Sequence, residues 1–144
     1  WVSAHVSRLS QLVTDVEDFS SLTFGLNNSN AIINLQMDCF RHNKTRHCSV
    51  VGTKGTLVWN GCDCSVSFYD PLDSLWHPLV TCNESLAISY ESQLKHFISS
   101  LDSPKTISLS CDLNSANYTL SVIDAARISS FNLGQKEPIS PPAL

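Results

Sequence analysis

The sequence predicts an α+β fold: an open, mostly antiparallel sheet of about six or seven strands with two helices packed on one face. Three observations carry this. Apolar residues alternate with a period of two through the first half of the chain, the two stretches of helical period come last, and no regular strand–helix–strand alternation mixes them. A length of 144 residues with 42% hydrophobic residues suits one domain, and such a chain buries about 68–70% of its unfolded surface. Only 15% of residues are charged, which excludes a disordered chain and a coiled coil.

The elements follow in order. Val2, Ala4 and Val6 alternate as a half-buried strand does, and Asp15-Val16-Glu17-Asp18 forms an acidic bend. Leu22, Phe24 and Leu26 alternate up to the turn-forming Asn27-Asn28-Ser29-Asn30. Ile33, Leu35, Met37 and Cys39 resume the pattern, so the two runs make a β-hairpin. After the basic stretch from Arg41 to His47, Cys48-Ser49-Val50-Val51 reads as a strand. Gly52-Thr53-Lys54-Gly55 is a tight turn that needs a positive φ at glycine, and Thr56-Leu57-Val58-Trp59 leads out of it. Asn60-Gly61 signals a two-residue hairpin, with Cys62 to Tyr69 as the returning strand until Asp70-Pro71 stops it. Residues 71–85 read as irregular, with Trp76 and Pro78 packing a loop against the body.

Two helices close the chain. Leu86, Tyr90, Leu94, Phe97 and Leu101 form the stripe of the first, with Ser85 as its cap and Ser103-Pro104 as its end. Ile107 and Leu109 suit a short strand. Asp112 caps the second helix, whose stripe is Leu113, Ala116, Leu120, Ile123, Ala126 and Phe131, with Gly134 as the stop. The domain therefore spans residues 1–134, and the Pro-rich residues 135–144 form a loose tail. Two helices cannot cover both faces of a wide sheet, so an uncovered, partly apolar face is expected to serve as a subunit interface.

The formal charge of −4 and pI near 5.6 argue against a nucleic-acid binder. No apolar run approaches the roughly 18 residues of a membrane span, and Trp1-Val2-Ser3 does not open a signal peptide. Lacking an initiating Met, the chain reads as a piece of something longer. Six cysteines (Cys39, Cys48, Cys62, Cys64, Cys82 and Cys111) could form three bridges. Their places on apolar strand faces favour free, buried thiols in an intracellular protein, and the absence of a C-x-x-C pair argues against zinc. The sequons at Asn27, Asn43, Asn83 and Asn117 are a weak sign of secretion.

Taken together, the elements and their local motifs resemble the C-terminal domain of the Gfo/Idh/MocA oxidoreductases. That family includes glucose–fructose oxidoreductase, inositol dehydrogenase and many nucleotide-sugar dehydrogenases. The resemblance rests on Val2-Ser3-Ala4-His5-Val6, on Asp15-Val16-Glu17-Asp18-Phe19, on the hairpin through Leu35, on Val50-Val51-Gly52-Thr53-Lys54-Gly55-Thr56-Leu57, and on Tyr90 to Phe97. It spans roughly residues 1–134. The resemblance implies a substrate-binding and dimerisation domain of a cytoplasmic NAD(P)-dependent sugar or nucleotide-sugar oxidoreductase, whose own N-terminal dinucleotide-binding domain precedes it. It also implies a homo-oligomer formed through the open sheet face. The family's G-x-G-x-x-G is missing, because Gly25, Gly52, Gly55, Gly61 and Gly134 never take that spacing. The Lys of an E-K-P motif is missing too, as are the Asp and His that precede the opening strand. No catalytic, cofactor-binding or metal-binding residue is therefore assigned to this fragment, which alone is expected to be inactive; NAD or NADP would belong to the full-length parent.

Candidate substrate residues are Arg41, His42, Lys44, Arg46 and Tyr90. Arg41, Lys44 and Arg46 gather three of the nine fixed positive charges within six residues, a concentration that suits the pyrophosphate or carboxylate of a modified sugar. The resemblance places substrate contacts here, although inositol-type members offer aromatic residues where this chain has His42 and Lys44, which leaves the substrate class open. A solvated loop is the alternative. Tyr90 suits a hydrogen bond to a sugar hydroxyl or a place in the core, and His96 reads as surface. Asp15, Glu17 and Asp18 lack a further carboxylate to complete a cation shell, so a turn with salt bridges is expected. The competing readings are a non-enzymatic scaffold or binding module of the same fold, and a secreted, disulfide-bonded glycoprotein domain.

Overall fold

The computed structural model describes residues 1–27, 29–82, 86–102 and 112–140, with backbone alone at 86, 87 and 102. Among them are seven strands and two helices: β1 (Val2–Ser7), β2 (Phe19–Gly25), β3 (Ile32–Asp38), β4 (His47–Gly52), β5 (Gly55–Asn60), β6 (Ser65–Asp70), β7 (Leu75–Thr81), α1 (Leu86–Asp102) and α2 (Leu113–Phe131). The α+β class and the antiparallel pairing are as the alternation predicts. The strands divide, however, into a three-stranded sheet ordered β1-β2-β3 and a four-stranded sheet ordered β4-β5-β6-β7. Period-two patterning fixes which side chains share a face; it carries no information on whether strands across a long connection pair. Two compact units result: Trp1–Arg41 with Leu109–Leu144, and His42–Ser108.

The first unit is built around the three-stranded sheet and α2. Register places Val2, Phe24 and Ile33 side by side on one face, followed by Ala4, Leu22 and Leu35. On that face Val2, Ala4, Leu22, Ala125 and Ala126 form the core, with Val6, Phe24 and Ile139 packed against it. Asp112 caps α2 by accepting from the Ser115 N–H at 2.8 Å, as expected. The predicted apolar stripe of α2 is corrected: Leu113, Leu120, Ile123 and Phe131 are exposed, while Ala125, Ala126 and Ser129 are buried. Small residues let the helix approach closely enough for its hydroxyls to reach the free edge of β1. The Ala4 N–H donates to Ser129 Oγ at 2.9 Å, and the Val6 N–H donates to Ser130 Oγ at 2.9 Å. Ser130 in turn donates to the Val6 carbonyl at 3.1 Å. Val2 exchanges both backbone hydrogen bonds with Glu137, at 2.9 and 2.8 Å. An edge that would otherwise offer open donors is thus closed from within the unit.

Part of the tail expected to be loose is tied down, since Glu137 pairs with Val2 of β1 and Ile139 packs against the core. Asn132 Nδ2 also donates to Glu137 Oε1 at 3.0 Å, and the Lys136 ammonium sits 4.1 Å from the Trp1 ring centroid. Pro141 and Pro142 lie outside the described residues. The helix ends in a paired-turn cap, with Gly134 N–H bonded to Ser129 O and Leu133 N–H to Ser130 O. The acidic bend proves to be a clasp: the buried Asp18 carboxylate accepts from the Leu9 and Ser10 N–H groups at 2.8 and 3.1 Å and from the Ser10 hydroxyl. Glu17 pairs with Arg127 at 3.3 Å.

In the second unit, each pair of neighbouring strands is joined by a short turn. Gly55 holds a φ of +143°, with Thr53-Lys54 forming the turn before it. At Asn60-Gly61 the hairpin lies where expected, but its loop has four residues, since Asn60 pairs with Ser65. Asn60 Oδ1 accepts from the Cys62 and Asp63 N–H groups, which favours the longer turn. Residues 71–85 are not wholly irregular: they include β7, an edge strand, where Pro78 is tolerated. Trp76 packs on Tyr69 across the β6–β7 pair, with centroids 5.3 Å apart. Val50, Leu57 and Phe68 are cross-strand neighbours on one sheet face, next to Cys48, Trp59, Val66 and Val80.

The cysteine expectation is corrected as well. Cys64 and Cys82 form a disulfide, and Cys39, Cys48 and Cys62 are exposed rather than buried. Cys62 and Cys64 sit in the four-residue turn, so strand alternation does not govern them. Cys111, Ser85, Asn83, the Ser103-Pro104 stop and the Ile107–Leu109 strand lie outside the described residues. In α1, Tyr90, Leu94, Phe97 and Leu101 do form one stripe, and it is exposed.

Candidate functional site

Most of the candidate substrate residues lie in the connection from β3 to β4. Arg41 is already engaged. Its Nε and Nη2 donate to Asp38 Oδ2 at 3.1 and 2.9 Å, and its backbone N–H donates to Asp38 Oδ1. A guanidinium held this way is largely neutralised, so the local positive charge falls to Lys44 and Arg46, with His42 beside them. His42 and Lys44 are exposed.

Arg46 is placed by the β5–β6 turn. The Gly61 N–H donates to the Arg46 carbonyl at 2.7 Å, and Cys62 Sγ approaches the Lys44 carbonyl at 3.7 Å. The Arg46 guanidinium lies over the Trp59 ring, 5.6 Å from its centroid. Only glycine allows this approach, because a Cβ at position 61 would stand 2.6 Å from Trp59 and 3.1 Å from Arg46 Cγ. The cation–π contact holds the guanidinium beside the ring, and its N–H donors suit carboxylate or phosphate oxygens. Sequence reasoning missed Trp59 and Gly61 here. The available signal was a Trp at a strand end directly before Asn-Gly, within reach of a basic stretch.

Tyr90 stands on α1 and is 64% exposed; among the described residues no hydrogen bond, ion pair or ring contact links it to the Arg46–Trp59 corner. All strand pairings among the described residues are antiparallel, so no strand–helix–strand unit presents a helix N-terminus to a pyrophosphate. No helix of the described residues is long and apolar enough to cross a membrane.

No family model and no curated protein matches the sequence. Two solved structures of the UDP-N-acetylglucosamine 3-dehydrogenase GnnA from Acidithiobacillus ferrooxidans do match, each with a TM-score of 0.74, at 14% and 15% identity. The alignment covers 94% of this chain and 41% of theirs, so the chain spans about two fifths of that enzyme's length. At this identity the likeness is one of fold. GnnA is a Gfo/Idh/MocA enzyme, and the chain takes the fold of part of such an enzyme, consistent with the C-terminal domain that its motifs resemble.

Proposed function

We propose that this chain is the C-terminal substrate-binding and dimerisation domain of an NAD(P)-dependent sugar or nucleotide-sugar oxidoreductase of the cytoplasm. The observation that carries the reading is the match of nearly the whole chain to part of a nucleotide-sugar dehydrogenase. The cofactor and the proton-transfer group belong to a segment outside these residues, and no hydride step is assigned to the residues described here. What this domain supplies is a wall of the sugar site and a surface for a second copy. Arg46, beside Trp59, is the anion contact, with His42 and Lys44 near it in sequence; Arg41 is engaged by Asp38, and Tyr90 offers a hydroxyl. The second copy sits on the exposed apolar face around Val50 and Leu57.

The test uses the full-length enzyme. Its upstream sequence should contain G-x-G-x-x-G and E-K-P, and Arg46→Ala should raise KM for a UDP-sugar about tenfold or more, the loss of one charged contact. An unrelated upstream domain would refute the enzyme reading and favour a scaffold of the same fold. Unchanged KM and kcat would remove Arg46 from the site.

One observation favours a second reading, a secreted domain: the Cys64–Cys82 disulfide, since such bonds persist in oxidising compartments. Thiol titration of the denatured, unreduced protein separates the two. Six free thiols support the cytoplasmic reading, and four or fewer support secretion.

A further inference from the structure

We propose that Asp70, Asp73 and His77 form a binding site for a divalent first-row transition-metal ion at the β6–β7 turn. The three side chains each offer one ligand atom, and those atoms lie within 4.8 Å of one another. Strand register places them there. Phe68 pairs with His77, and Asp70 follows Phe68 by two residues, so Asp70 and His77 share a sheet face while the turn carries Asp73 to them.

Asp73 Oδ2 and His77 Nε2 are 2.8 Å apart. The pair shares a hydrogen bond, and an ion bound by both atoms would take the place of its proton. The other carboxylate oxygens are committed to the turn. Asp70 Oδ1 accepts from the Leu72 N–H at 2.8 Å, and Asp73 Oδ1 accepts from the Leu75 N–H at 2.9 Å. Each aspartate is thereby oriented: Asp70 keeps Oδ2 for an ion, and Asp73 Oδ2 would exchange its hydrogen bond with His77 for one. One imidazole and two carboxylates select Mn²⁺, Co²⁺, Ni²⁺ or Zn²⁺ over Ca²⁺ or Cu⁺, with water completing the shell. Such an ion would fasten the turn between the last two strands. This role is structural and does not depend on the oxidoreductase reading.

Titrating Co²⁺ into the purified chain, followed by visible absorption, tests the site. The expected result is saturable binding of one ion with a weak ligand-field spectrum and a rise in melting temperature. Loss of an outer-shell partner alone costs about 10–100-fold in metal affinity, so Asp73→Asn and His77→Asn should each weaken binding by at least that much. Asp73→Asn keeps the oxygen that accepts from Leu75, which guards against loss of the turn itself. The proposal is overturned if there is no saturable binding, if affinity is unchanged in both variants, or if an intense sulfur charge-transfer band shows that Cys39, Cys48 or Cys62 holds the ion instead.

Discussion

The two units are closed by different means. In Trp1–Arg41 with Leu109–Leu144, a small apolar cluster from β1, β2 and α2 is buried, and the free edge of β1 is sealed by two helix serines and Glu137. In His42–Ser108 the four strands are paired in order, with one register shift at Val66–Ser67, yet no described residue is buried, and Val50, Val80 and Trp76 are each more than half exposed. Complete hydrogen bonding and a covered face are therefore separate achievements. The first unit joins a sealed β1 edge to a covered patch on β1 and β2, while Ile33 and Leu35 of β3 stay exposed on the same face. The second has the ladders and a disulfide, and its apolar side chains are exposed.

The largest expected effect breaks the closure of the first unit. Ser129 is fully buried, accepts from Ala4 and donates to the Gln135 carbonyl. Ser129→Ala orphans a buried backbone donor and should cost about 1–3 kcal/mol in a denaturant melt. A neutral result would mean that water replaces the hydroxyl and the edge is not sealed.

In the second unit backbone geometry should matter more than side-chain burial. A Cβ on Gly55 would stand 2.3 Å from the Tyr69 carbonyl, at a φ disfavoured for other residues, whereas one on Gly52 meets nothing closer than 3.8 Å. Gly55→Ala should cost upwards of about 1 kcal/mol and Gly52→Ala much less. Equal losses would contradict the described turn.

Acid should loosen the first unit through Asp18. The Ser10 hydroxyl, with the Leu9 and Ser10 N–H groups, holds the Asp18 carboxyl below its usual range. The unfolded chain then binds the proton more tightly than the folded one. The contribution is complete above the ordinary Asp value of about 3.9 and disappears as pH falls through the depressed folded value. Hydrogen exchange at Leu9 and Ser10 should accelerate over that acid range relative to neighbouring amides, and Asp18→Asn should flatten the dependence.

Much of this was legible in the sequence, for identifiable reasons. Alternation located β1, β2, β3 and β6, the glycine turns bracketed β4 and β5, and the Asp112 cap located α2, because these signals are local. The buried side of α2 was misread because serine counts as polar in a pattern, although its hydroxyl can finish a strand edge. The β7 strand was hidden by Pro78, which an edge position tolerates. At the candidate site the charges of Lys44 and Arg46 could be read directly. The Asp38 pairing that occupies Arg41 and the Trp59 platform beneath Arg46 depend on turn geometry that no periodicity encodes.

The most direct test asks whether the exposed face of the four-stranded sheet is covered by a second copy. Sedimentation equilibrium of the chain should show a monomer–dimer equilibrium, and Val50→Lys should shift it to monomer while leaving the circular dichroism spectrum intact. A chain that stays monomeric at every concentration reached, or a dimer indifferent to Val50→Lys, would contradict the account.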